Sequence, residues 1–348
     1  MKPVAAHSRA ARAPLATLAG RLVGPEALPR GPGQAMIAGR DWDRPRLGRT
    51  VRGVATRRAT ATEGSTTKEG EYNGPEPKRF AIAEGNRVAV LTAAVTTIMR
   101  FGSGALTKGY KASIDKTPEG FSGYAFVSGN GRQVNESSKV AEFPRPNQPL
   151  EIYEFEGCPF CRKAREAVSI LDLDVLFYPC PKGGTTYRPK AVELGGKAQF
   201  PYLVDPNTGV SMYESDDIIK YLFDTYGDGE VPFLLSPSFL TAVSCGLAML
   251  PRAGKGTTFA GGKAAVKPIV YWGYEGSPFC KIVRETLVEL EIPHLQKSCA
   301  RGSPKRQELY KYMGLFQVPF IEDPNTGVSM FESAEIIKYL RETYGAQA

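Results

Sequence analysis

One stretch of this chain is written twice. Gly157-Cys158-Pro159-Phe160-Cys161 returns as Gly276-Ser277-Pro278-Phe279-Cys280, and Asp205 to Ser215 returns as Asp323 to Ser333 with only Tyr213 exchanged for Phe331. A repeat of this length implies the same supersecondary unit built twice. In each copy an aliphatic and aromatic run, Leu150 to Phe155 or Ile269 to Tyr274, reads as a strand leading into the Pro-Phe-Cys turn. Ala164, Val168 and Leu171 then share one helical face, as do Val283, Leu287 and Leu290. Strand-like Val175 to Tyr178 and His294 to Gln296 follow, each ending just before a cysteine, Cys180 or Cys299.

Next come a basic, Gly-containing segment (Lys182, Arg188, Lys190; Arg301, Lys305, Arg306), a helix starting near Pro189 or Pro304, and a short strand opened by Phe200-Pro201 or Val318-Pro319. Asp-Pro-Asn-Thr-Gly supplies turn chemistry for a hairpin. Helices over Asp216 to Tyr226 and Ala334 to Tyr344 close the units. A right-handed parallel crossover followed by an antiparallel hairpin predicts an α/β fold: two tandem thioredoxin-like domains with four-stranded mixed sheets. The predicted boundaries are 149–227 for domain 1, 228–267 for an apolar interdomain linker and 268–348 for domain 2.

The chemistry expected of copy 1 follows from Cys158 at the start of a helix. There, unpaired backbone N–H groups and the positive dipole end favour a thiolate. Cys158 is the candidate nucleophile and Cys161 the resolving thiol, with Arg162 and Lys163 adding positive charge near an exposed turn. Inert core cysteines, half of a zinc site and an iron–sulfur cluster shared between two chains are the competing readings. A structural zinc wants four ligands where copy 2 offers only Cys280, so no metal is expected. Ser277 cannot form a disulfide, so copy 2 is expected to bind rather than exchange. Cys180 and Cys299 read as small buried apolar residues.

The net charge of +8 is misleading, because residues 1–60 carry twelve Lys and Arg against Glu26, Asp41 and Asp43, leaving the remainder at about −1. That argues against a nucleic-acid partner. An Ala-, Arg- and Thr-rich leader poor in acids reads as a transit peptide over 1–60, with plastid the first destination and mitochondrion the alternative. Residues 61–148 form a poorly defined region, largely disordered linker at its start, with a short apolar helix over 88–99 and a possible strand at Tyr124 to Val127. Val231 to Pro251 carries no charge and by length admits a membrane span or a membrane-surface contact as well as an interdomain packing helix, which its two early prolines favour.

Taken together, the Cys-Pro-Phe-Cys turn, the Pro-opened strand and the Glu214-Ser215 pair resemble the glutaredoxins and the N-terminal domain of glutathione S-transferases. The tandem with Cys158 in one copy and Ser277 in the next resembles two-domain thioredoxin-fold proteins of plant and algal plastids. The resemblance spans about 195 residues, Leu150 to Gly345. It implies cis peptide bonds before Pro201 and Pro319, with Phe200 and Val318 turned toward the active turn. It further implies glutathione as cosubstrate, its γ-glutamyl end held by Glu214 and Ser215 in one copy and by Glu332 and Ser333 in the other. Protein disulfides are the other implied partners. Ser277 is similar to the serine that donates to a glutathione thiolate in serine-type transferases. Those enzymes use a following all-helical domain, and here the chain ends at Ala348, which favours binding without turnover.

Overall fold

The computed structural model describes residues 74–78, 82–236 and 239–346, all within the unit Gly64–Ala348. The basic leader and its transit-peptide reading lie outside the described residues.

Helix α1 (Arg87–Met99) is followed by a three-stranded antiparallel insertion, β1 (Lys111–Lys116), β2 (Val127–Gly129) and β3 (Arg132–Ser137), with β3 central in the order β1-β3-β2. Copy 1 then runs β4 (Leu150–Glu154), α2 (Pro159–Ile170), β5 (Asp174–Pro179), α3 (Tyr187–Gly195), β6 (Tyr202–Asp205), β7 (Val210–Met212) and α4 (Ser215–Tyr226). After α5 (Phe239–Leu247), copy 2 repeats the order as β8 (Ile269–Gly273), α6 (Pro278–Glu289), β9 (His294–Ser298), α7 (Lys305–Met313), β10 (Phe320–Asp323), β11 (Val328–Phe331) and α8 (Ser333–Tyr344). Within each copy the first two strands are parallel and the last two antiparallel, the four-stranded mixed arrangement of a thioredoxin-like domain.

The two four-stranded sheets are continuous. Strands β5 and β9 pair antiparallel with Asp174 opposite Lys297 and Phe177 opposite His294, giving one eight-stranded sheet in the order β11-β10-β8-β9-β5-β4-β6-β7. The join seals the edge of each half, and Phe177 stacks on the buried His294 ring at 5.5 Å between centroids. Each half keeps its own apolar core, Leu150, Val168, Phe177, Leu222 and Phe223 in one, Ile269, Val283, Leu287, Ile336 and Leu340 in the other.

Two arms interlock the halves, and here a second repeat emerges. Arg100-Phe101-Gly102-Ser103-Gly104 follows α1, and Arg252-Ala253-Gly254-Lys255-Gly256 follows α5, an Arg-x-Gly-x-Gly pattern in both. Helix α1 packs on α6 of copy 2, while Arg100 reaches Glu166 of copy 1 with Nε and Nη2 at 3.0 and 2.7 Å. The other arm mirrors this: α5 packs on α2, while Arg252 reaches Glu285 of copy 2 at 2.8 and 2.6 Å. Each glycine loop then runs along an active turn, Gly157 N–H donating to the Gly256 carbonyl and Gly276 N–H to that of Gly104. The turn glycines permit this approach. A Cβ on Gly157 would collide with Thr257, and one on Gly276 with Ala105.

Candidate functional site

In copy 1, Cys158 is the N-cap of α2 and Pro159 its first residue, where a missing N–H costs nothing. The Cys158 Sγ accepts the Cys161 N–H at 3.2 Å and lies 3.9 Å from the Phe200 carbonyl. The bonds Phe200–Pro201 and Val318–Pro319 are both cis. Hydrogen bonding from the Cys161 thiol, then from its backbone N–H, holds the Cys158 thiol below its ordinary pKa, aided by the Arg165 guanidinium and opposed by burial and Glu154. Burial drives the Cys161 thiol well above its ordinary value. One sulfur is therefore set to ionise and its neighbour to hold its proton, the division that nucleophile and resolving thiol require.

Two expectations are corrected. Cys158 is only 4% exposed, because the 254–258 loop and Phe200 cover a turn that the sequence placed at an open end. The flanking cations are also not free: Lys163 pairs with Asp216, and Arg162 is buried with Glu166 at 3.0 Å and Glu275 at 3.7 Å. The cation acting on the sulfur is Arg165. It belongs to a buried lattice across the two copies, contacting Glu154, Glu156 and Glu275, while Arg284 of copy 2 contacts Glu275 and reaches Glu156 at 2.6 Å. Ionised Glu156 and Glu275, both held below the usual carboxylate range by these guanidiniums against a large burial penalty, stand two residues before Cys158 and Ser277. Sequence reading missed the lattice. Its signal was the recurrence of Glu at 156 and 275 and of Arg at 165 and 284 at matching positions.

In copy 2, Ser277 caps α6 and its Oγ accepts the Cys280 N–H at 3.3 Å, the geometry of Cys158 with oxygen for sulfur. Ser277, Val318, Pro319, Glu332 and Ser333 all line one cavity of about 540 Å³. Glu332 opens α8 with φ +69°, and Glu214 opens α4 with φ +62°, a left-handed conformation that costs non-glycine residues energy and recurs at ligand sites. Gln317 Nε2 donates to Glu332 at 2.7 Å, as does the Lys78 backbone N–H. Gln199 donates to Glu214 in the same way, so the Gln–Pro–Glu–Ser constellation exists in both copies. The Gln317 Oε1 is buried with no partner among the described residues.

Cys180 and Cys299 are buried at the ends of β5 and β9, with both thiols pushed up by burial. Among the described residues no three His, Cys, Asp or Glu side chains are placed to hold a metal ion. The 231–251 segment forms a turn at Phe233–Leu235 and then α5, and no helix among the described residues is long and apolar enough to cross a membrane.

The family model for the glutathione S-transferase N-terminal domain matches residues 152–232 and 272–348. Among solved structures, Bombyx mori glutathione transferase BmGSTD1 is similar at 16% identity over 42% of this chain and 81% of that chain, with a TM-score of 0.23. The same transferase in complex with GTT is similar at 17% identity over 42% and 80%, with a TM-score of 0.21. No curated protein matches the chain.

Proposed function

Since both repeats belong to the glutathione S-transferase N-terminal family of thioredoxin-like folds, we propose that copy 1 is a glutathione-linked thiol–disulfide oxidoreductase and copy 2 its glutathione- or partner-binding paralogue. The observation that carries this is the polarised pair, Cys158 lowered and Cys161 raised, with Cys158 Sγ 3.9 Å from the Phe200 carbonyl. The Cys158 thiolate attacks one sulfur of a substrate disulfide, forming a mixed disulfide and expelling the other sulfur as thiolate. Cys161 then gives its proton to that first departing sulfur and, as thiolate, attacks Cys158, expelling the second substrate sulfur as a thiolate that takes from solvent the proton Cys158 released on ionising. The products are a Cys158–Cys161 disulfide and two substrate thiols, the dithiol having supplied two electrons. Two glutathione molecules restore the dithiol and leave as glutathione disulfide.

Glutathione suits the residues present. Phe200 and Val318 offer backbone to its peptide-like middle, and Ser215 and Ser333 offer helix N-termini to its carboxylate. The buried, unpartnered Gln317 Oε1 and the Glu332 carboxylate accept from its amine. Reduction of hydroxyethyl disulfide with glutathione tests the enzyme reading. Activity in the wild type that disappears in Cys158→Ser supports it, and an inactive wild type sinks it. The leader composition supports a plastid destination, with mitochondrion the alternative, which a fluorescent fusion of residues 1–60 reads directly.

A membrane-surface role is favoured by one observation: Leu91, Ile98 and Phe101 along the first arm and Phe233 and Leu250 beside α5 are exposed apolar side chains. Co-sedimentation with anionic lipid vesicles tests it, and protein that stays in the supernatant removes it.

A further inference from the structure

The insertion β1–β3 is poorly explained by folding alone. No apolar residue between 111 and 137 is in the buried core, and every residue of β1 and β2 is exposed. Three short strands with so little buried area do not hold themselves together. They are pinned instead to copy 2. Glu136, part-buried with its side chain turned inward, accepts from Tyr110 and Tyr124 at 2.9 and 2.8 Å and pairs with Arg301 and Arg306 at 2.6 and 3.3 Å. The Tyr124 N–H donates to Gln307 at 2.8 Å, its ring meets Phe316 edge-on at 4.9 Å, and the Arg301 guanidinium lies 3.6 Å from the Phe126 ring centre.

What this pinning achieves is enclosure. Phe121, Tyr124 and Phe126 line the copy 2 cavity together with Phe279, Tyr310 and Phe316 of the repeat itself. The insertion is one-sided. After the glycine loop over Ser277 the chain takes the three-stranded insertion before reaching β4, whereas after the loop over Cys158 it goes from Phe259 to Ile269 without another strand. The copy that lacks the thiol nucleophile is the one given an aromatic wall.

We propose that residues 121–126 are a specificity wall of the copy 2 site, selecting ligands that carry an apolar aromatic group beside the polar end received by Gln317, Glu332 and Ser333. A cavity of about 540 Å³ is of the size that takes a small conjugate whole. Only the identity of the polar end, glutathione, rests on the proposed function.

The test is binding to the full chain of three probes: glutathione, S-(4-nitrobenzyl)glutathione and the aromatic dye 8-anilinonaphthalene-1-sulfonate. It is repeated in Phe121→Ala, Phe126→Ala and Phe121→Trp. The nitrobenzyl conjugate is expected to bind about tenfold or more tighter than glutathione, from the buried aromatic area. That advantage should collapse in both alanine variants and persist in Phe121→Trp, with glutathione affinity unchanged. Phe121 makes no polar anchor, so its alanine variant reads the wall where Phe126→Ala also disturbs Arg301. If glutathione binds and the conjugate gains nothing, or gains equally in the alanine variants, the wall is overturned while the glutathione reading stands. If glutathione fails but the dye binds in a Phe121-dependent way, the wall stands and glutathione falls as the copy 2 ligand. If no probe binds, both fall.

Discussion

Arg284, on the first helix of copy 2, donates to Glu156 of copy 1 at 2.6 Å, and both side chains are buried. This pair ties the scaffold of one active turn to the helix that carries the other. Without Arg284, Glu156 keeps Arg165 and Lys281, and Glu275 keeps Arg162 and Arg165, so the variant loses charged hydrogen bonds from a buried cluster without orphaning either carboxylate. Arg284→Ala should therefore lower unfolding stability by about 1.5–3 kcal/mol. Chemical denaturation checks this, and a loss within the range of ordinary surface substitutions would mean that the remaining cations hold both carboxylates unaided.

His294 sits at the join of the two sheets, its ring fully buried and its pKa lowered by burial to about 4. The unfolded chain takes up that proton near pH 6.5, so stability is complete above pH 6.5 and is lost as pH falls toward 4. The loss amounts to roughly 3 kcal/mol by linkage. His294→Phe should flatten the decline in denaturation midpoint between pH 6.5 and 4, and an unchanged decline would place the acid sensitivity elsewhere.

Cys158 should titrate below the ~8.5 of a free thiol, followed by thiolate absorbance in a chain whose other five cysteines are all pushed up by burial. Arg165→Met should raise that midpoint, because Arg165 is the cation that favours the Cys158 thiolate. A midpoint near the free value in the wild type would remove the basis for copy 1 as a disulfide reductant.

Gly256 has φ +71°, and a Cβ there would run into Glu156. Gly256→Ala should displace the loop that crosses the Cys158 turn, costing about 1–3 kcal/mol of stability. It should also speed alkylation of Cys158 by iodoacetamide severalfold. Alkylation at the wild-type rate would show that the loop does not limit access to the sulfur.

Ser277→Cys places sulfur where Oγ already accepts the Cys280 N–H at 3.3 Å. Dithiol exchange should then appear in a Cys158→Ser background, read by hydroxyethyl disulfide reduction. Silence in that double variant would mean that the lattice and the three-stranded insertion, rather than the missing sulfur, keep copy 2 from turning over.

The strand, turn and hairpin order was legible because each copy states it independently, and Pro159 and Pro278 mark their helix starts without ambiguity. What escaped was whatever joins the copies. Arg162 and Arg165 lie on the polar side of a helix whose apolar face is plain, and polarity alone does not distinguish solvent from a partner bearing Glu275. The arms escaped for a different reason. Arg100 precedes Cys158 by 58 positions and Arg252 precedes Ser277 by 25, so the three-stranded insertion after the first arm hides the shared Arg-x-Gly-x-Gly pattern. The insertion itself offers no apolar alternation, since polar pins to Arg301 and Arg306 hold it.

The β5–β9 join has a consequence for what can vary. Two identical subunits meeting along such an edge would carry any substitution in both sites at once, so a serine in place of the thiol would disarm the whole assembly. Covalent tandem arrangement removes that obligation. Position 277 can lose its sulfur, and its neighbourhood can acquire a wall, while position 158 keeps the thiol; the two sites share a sheet without sharing a fate.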